Sequence, residues 1–170
     1  MARIMTATIT RFEEESFLPP VPLPYSIDIV RIREMIPHRY PMLLIDRVVD
    51  VVRGMQATGV KAVSAGESYF QGHFPERPVL PGVLIVEAMA QTAAVMVVDS
   101  LGENAAGKLV YFMSIQSAKF RKPVVPGDML RMVVRKVQNR KNVWKFDGQA
   151  FVEEGLVAEA SFAAMIMEEE

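Results

Sequence analysis

Cysteine is absent from the chain. That excludes disulfides, zinc ribbons, iron–sulfur clusters and a cysteine nucleophile. Histidine is scarce: only His38 and His73 occur, too few for a histidine-rich metal site. Neither sign of charge dominates. Nineteen basic against 20 acidic residues leave a net charge of −1, which does not mark a nucleic-acid binder. A long uncharged apolar run is missing too. The longest, Val83 to Val98, spans 16 residues and contains Glu87 and Gln91, whereas a membrane span takes roughly 20. The N-terminus has no basic start, long apolar run and small-residue cleavage site of the kind a secretory signal needs. A soluble, cytoplasmic protein with no membrane or nucleic-acid partner is expected. What the chain does have is core-forming material: 51% of its 170 residues are hydrophobic, enough for one domain that folds without staples.

Residues 1–24 differ from the rest. Four of the eleven prolines lie at 19, 20, 22 and 24, behind the acidic run Glu13-Glu14-Glu15. Closely spaced prolines cannot supply ladder or helix hydrogen bonds, so a mobile or extended extension is expected here, followed by a single domain over 25–170. Ile27–Met35 reads as a short amphipathic helix stopped by Pro37. Met42–Val52 and Ala57–Val63 read as a hairpin across Arg53-Gly54-Met55. Gly66–Pro81 is loop. Val83–Asp99 then reads as a helix, with Pro81 in the favoured first-turn position. Strand-like runs follow at Leu109–Ala118, Met129–Val137, Val143–Val152 and Leu156–Met167, separated by turn residues.

The helix from Val83 is apolar almost all round, so no face of it suits water. About six strands are available to bury it. An antiparallel sheet curled around one central helix satisfies both facts, which is the α+β hot-dog fold.

Three elements near the start of that helix are site-like. His73 lies in Gln71-Gly72-His73-Phe74-Pro75, a loop that positions it by backbone; a histidine there can also simply bond a carbonyl. Glu87 falls within the apolar helix, where glutamate is almost never buried without a partner. Desolvation is expected to push its carboxyl upward, leaving a proton donor near neutral pH, unless an ion pair or a gap in the sheet serves it. Gly82 sits in the first turn, where backbone N–H groups lack intrahelical acceptors and carry the positive end of the dipole. A carbonyl oxygen could rest there as it becomes enolate-like; equally, glycine eases a tight turn. Base, acid and oxyanion donor together suit removal of an α-proton and loss of a β-hydroxyl. Spacing alone does not show that they meet.

The runs Pro37-His38-Arg39-Tyr40-Pro41-Met42-Leu43-Leu44-Ile45-Asp46-Arg47-Val48, Gly72-His73-Phe74-Pro75 and Pro81-Gly82-Val83-Leu84-Ile85-Val86-Glu87-Ala88-Met89-Ala90-Gln91 carry a resemblance. So do Tyr111-Phe112-Met113, Lys119-Phe120-Arg121-Lys122-Pro123-Val124 and Pro126-Gly127-Asp128. Over about residues 27–167 the chain resembles the 3-hydroxyacyl-[acyl-carrier-protein] dehydratases of type II fatty-acid synthesis. The resemblance implies a hot-dog fold, a homodimer often assembled into a trimer of dimers, and active sites shared across the dimer interface. It implies that His73 removes the C2 proton, that Glu87 protonates the departing C3 hydroxyl, and that the Gly82 N–H holds the thioester carbonyl. No cofactor or metal is implied. Tyr111 matches a tyrosine that gates the acyl tunnel, and Val98 a tunnel position where a family member carries phenylalanine. Glutamate at 87, where the isomerising relative typically has aspartate, implies a dehydratase without isomerase activity. His38 is expected to hold the approach to the first strand and not to do chemistry.

Ten basic residues and one acid, Asp128, lie between Lys108 and Lys145. Much of this is expected to be solvated strand surface. The resemblance adds acyl carrier protein, which is acidic, as the partner, with Lys119, Arg121 and Lys122 as its contacts. Two other functions fit the same composition: a hot-dog acyl thioesterase, and a non-catalytic acyl-binding or scaffold protein.

Overall fold

In the computed structural model, which describes residues 24–102 and 110–167, Lys108 and all of the expected extension over 1–24 except its last residue lie outside the described residues. The elements run β1 (Tyr25–Ile27), α1 (Ile29–Met35), β2 (Arg47–Val52), β3 (Gln56–Ala62), a 3-10 turn (Ser68–Gln71) and α2 (Gly82–Leu101). After them come β4 (Val110–Phe120), β5 (Met129–Arg140), β6 (Val143–Val152) and β7 (Gly155–Ile166). The strands form one antiparallel sheet in the order β1-β2-β3-β5-β6-β7-β4. Thirteen residues of α2 are buried, and the helix packs against every strand from β2 to β7 as well as α1. This is the helix-in-a-sheet arrangement expected from the patterning.

Close approach between helix and sheet is made by glycine. A Cβ placed on Gly59 of β3 would stand 2.0 Å from Oγ1 of Thr92, and one on Gly148 of β6 would stand 2.7 Å from Sδ of Met89. Larger side chains fill the remaining space: Leu130, Met132, Phe146 and Phe162 from the sheet, Met89 and Met96 from the helix, all fully buried.

The differences from expectation have identifiable causes. Residues 42–46 are not strand: the N–H groups of Met42 and Leu43 turn back to the Arg39 carbonyl, and two further backbone groups bond a helix side chain. The Leu44 N–H donates to Oε1 of Gln91 at 2.9 Å, and the Met42 carbonyl accepts from its Nε2 at 2.7 Å. Ile27 ends a three-residue strand, with Tyr25 opposite Val51, and does not start the helix. The Asp28 carboxylate then caps α1 by accepting the Arg31 N–H at 2.9 Å. At the other end of α1, Ile36 is extended, as a residue before proline prefers. Within the expected loop, residues 68–71 close into a 3-10 turn. The β2–β3 hairpin turns where expected, with Gly54 at φ 65°.

The two sheet edges are unequal. β1 is short, whereas β4 is eleven residues long and exposed at every position from Tyr111 to Phe120. Tyr111, Phe112, Met113, Ile115 and Phe120 are its exposed large apolar side chains. A long apolar edge of this kind is a template for pairing with another strand.

Replacing Gly59 by alanine drives a methyl into Thr92. Gly59→Ala is expected to cost about 1–3 kcal/mol of stability in denaturant unfolding, as overpacking does. Adding Thr92→Ala, which removes the obstructing hydroxyl, is expected to recover most of that loss.

Candidate active site

The His73 loop is ordered from both ends. Upstream, the 3-10 turn presents the Tyr69 carbonyl, which accepts the N–H of Gly72 at 3.3 Å and of His73 at 2.8 Å. Downstream, Nδ1 of His73 lies 2.6 Å from the Val79 carbonyl. A carbonyl can only accept, so Nδ1 carries the proton and Nε2 of the neutral ring is left with its lone pair. The carbonyl bond expected as a purely structural use of this histidine is therefore present, and it also fixes which ring nitrogen keeps its lone pair.

His73 lines an open cavity of about 500 Å³ with Val79, Pro81, Gly82, Val83, Phe120 and Lys122 among its walls. The N–H groups of Leu84 and Ile85 turn back to the Pro81 carbonyl, so Gly82 and Val83 precede the first helical hydrogen bond of α2. Glycine at 82 has a packing reason. A Cβ there would meet the Phe120 ring at 2.7–2.9 Å. The same missing side chain brings the positive end of the helix to the cavity wall beside His73.

Glu87 does not line that cavity. Five residues along an α-helix turn it roughly 140° from Gly82 and advance it by about 7.5 Å. Its side chain is 21% exposed, and its Oε1 lies 3.4 Å from Nε2 of His38 and accepts from Nε2 of Gln91 at 2.9 Å. The carboxyl is held below its ordinary 4.5, chiefly by the His38 hydrogen bond and secondarily by Gln91, against the upward push of burial. In this chain alone Glu87 is thus not the desolvated, raised acid; it has the ion pair and the opening to solvent that were the other expectation for it. Two hydrogen bonds to the charged form outweigh partial burial. His38, expected only to brace the first strand, faces this carboxylate. Gln91, seen in the sequence merely as a polar interruption of the helix, ties Glu87 to the 42–44 backbone.

Of the other residues singled out, Arg121 and Lys122 line the His73 cavity. Lys119 and Arg121 both pair with Glu159, at 3.7 and 2.6 Å, and Arg121 is the main cause of that carboxyl's lowered pKa. Tyr111 is exposed on β4 and Val98 is buried in the last turns of α2; neither borders the His73 cavity. Lys61 is not among the residues singled out by motif or charge. It follows Ala57 and Gly59 in the alternation of β3, on the face turned toward α2, and a lysine at an inward position is the signal that could have found it.

The FabA-like domain family model matches residues 36–161. The 3-hydroxyacyl-[acyl-carrier-protein] dehydratase FabZ of Rhodospirillum rubrum is 63% identical over 145 residues, covering 85% of this chain and 91% of the relative. The FabZ of Paramagnetospirillum magneticum is 63% identical over 143 residues, covering 84% and 89%. Among solved structures, the dehydratase heterocomplex ApeI:P from Xenorhabdus doucetiae superposes with a TM-score of 0.71 at 16% identity, covering 81% of this chain and 91% of that one. A hypothetical thioesterase with coenzyme A from Streptococcus pneumoniae gives 0.52 at 15%, covering 70% and 84%. At such identities the structures share the fold. The sequence relatives go further: this chain belongs to the FabA-like domain family and, within it, to the 3-hydroxyacyl-[acyl-carrier-protein] dehydratase FabZ family.

Proposed function

We propose that the protein is a cytoplasmic dehydratase that converts (3R)-3-hydroxyacyl-[acyl-carrier-protein] to the trans-2-enoyl thioester during fatty-acid elongation. One observation carries the mechanism: a ring nitrogen available as a base and the uncapped start of a buried helix border the same cavity. A thioester carbonyl placed against the Gly82 N–H gains stabilisation as it takes on enolate character. His73 Nε2 then removes the C2 proton. Glu87 delivers a proton to the C3 hydroxyl, which leaves as water.

Glu87 faces away from the His73 cavity of its own chain, so the reading requires that it serve a second copy. The exposed β4 edge supports this. Two copies pairing through β4 would cover its apolar side chains and complete each site with a carboxyl from the neighbour. A trimer of such dimers is the larger assembly proposed. Covering Glu87 with an acyl chain deepens its desolvation and moves it back toward the acid form it needs. Tyr111 and Val98 are assigned to the acyl tunnel of that assembly. Arg121 and Lys122, at the cavity, and Lys119 beside it are assigned to the acidic carrier.

Absorbance of the conjugated enoyl thioester, followed together with free thiol, tests the reaction. Wild type is expected to give the enoyl product without thiol, and His73→Ala and Glu87→Gln to lose at least about a hundredfold in turnover while remaining folded. Thiol release without enoyl product would identify a thioesterase. Mixing the two inactive variants through a dissociation step is expected to restore about a quarter of wild-type activity, because half the dimers then hold one intact site of two. With carrier-borne substrate KM is expected to rise as salt is added, and with a small pantetheine thioester to stay level.

The lowered Glu87 pKa has a thermodynamic sign. A carboxyl depressed on folding stabilises the folded chain above its unfolded value, near 4.5, and that contribution disappears as pH falls through the folded value. The difference in unfolding free energy between wild type and Glu87→Gln is therefore expected to be constant above about pH 5 and to shrink below it, as read by denaturant titration across pH.

A further inference from the structure

Lys61 is 3% exposed, and its Nζ lies 2.6 Å from Oε1 of Glu67. Lysine is rarely buried to this degree. Replacing a buried ion pair by apolar side chains is often neutral or stabilising, so a demand for stability alone does not explain its presence. Its location is informative. Lys61 stands on β3, fixed in register opposite Leu130 of β5. Glu67 is the residue from which the 3-10 turn starts. Its carbonyl accepts the Phe70 N–H at 3.1 Å, and further along the turn the Tyr69 carbonyl holds the N–H of His73. Between the carboxylate gripped by Lys61 and His73 there is thus one tight turn and one glycine.

Two acidic groups act on the same turn. The charges of Glu67 and Asp46, with burial foremost, push the Tyr69 hydroxyl upward, and that hydroxyl is buried with no partner among the described residues. The Asp46 carboxylate accepts the Ala62 N–H at 2.7 Å. Phe70 also anchors the turn in the core, but an apolar contact has no preferred direction. A salt bridge between a rigid strand and the first residue of the turn fixes its rotation as well.

We propose that Lys61 and Glu67 form a clasp that positions His73, making Lys61 a positioning residue for proton abstraction. The clasp rests on the reading of His73 as the base. It acts by holding the turn whose carbonyl carries the His73 backbone, so that the ring stays oriented between the Val79 carbonyl and the substrate.

The test uses the full-length protein and the variant Lys61→Met with Glu67→Gln, which removes the ion pair without leaving a buried charge. Thermal unfolding is expected near that of wild type, while kcat falls at least about tenfold at a KM within about twofold, as expected for a displaced catalytic group. The second readout is the nuclear magnetic resonance spectrum of ring-labelled histidine, which contains only His38 and His73. The His73 ring signals are expected to shift or broaden and those of His38 to stay in place, with His38→Gln supplying the assignment. Wild-type kcat in the double variant, or a loss of kcat with unmoved His73 signals, would overturn the clasp. If the double variant does not fold, Glu67→Ala carries the same two readouts with the same expected outcomes. Retained turnover in His73→Ala would sink the base reading instead, and the ring signals would still report whether the pair holds His73.

Discussion

A helix with no face suited to water is the constraint on which the rest of the molecule depends. α2 buries thirteen of its twenty residues, and no single layer can cover a cylinder on all sides. The sheet therefore has to curl, and its strands have to come close where the helix is nearest. Gly59 and Gly148 mark those places, where any side chain would collide with Thr92 or Met89. The order of strands follows from the same demand, because β2 to β7 all contribute to the wall.

The wall is incomplete at the N-terminal end of α2, and the chemistry gathers there. Val83 is 71% exposed and Glu87 keeps an opening to solvent, whereas the turns that follow are sealed. A buried helix cannot satisfy its first amides internally, and a proline and a glycine begin this one. The loop that crosses this end supplies His73 and, through Leu80, bonds to the carbonyl of Val124, another residue of the cavity wall. Burial of the helix middle and openness of its start are two outcomes of one geometry.

Most of this architecture was legible. The all-round apolarity of residues 83–98, the period-two runs after it and the turn residues between them led directly to the observed layers. His73 and Glu87 stood out because a loop histidine and a carboxylate in an apolar helix are each unusual. What escaped detection depended on long-range pairing. The 42–46 segment is rich in apolar residues like a strand, but its Met42 carbonyl and Leu44 N–H bond Gln91, nearly fifty positions away. β1 comprises three residues behind a proline-rich stretch, and pairing with β2 alone makes it a strand. For Glu87 the pattern shows burial but not which partner serves the carboxyl, so only the structure decides between a raised acid and an ion pair with His38. The side chain of Lys61 looked ordinary until the register of β3 placed it on the inner face.

The Gln91 bridge fixes more than a backbone segment. Its oxygen must accept from the Leu44 N–H, which compels its nitrogen to face both the Met42 carbonyl and Oε1 of Glu87. The amide cannot turn over without placing oxygen against oxygen and hydrogen against hydrogen. Oε1 of Glu87 is therefore committed as an acceptor whether the carboxyl is ionised or not, and any proton the group carries must sit on Oε2. The side from which a proton can leave this carboxyl is dictated by two peptide groups in a loop that never enters the helix. In the proposed reaction the handedness of proton delivery is in this sense a property of the backbone.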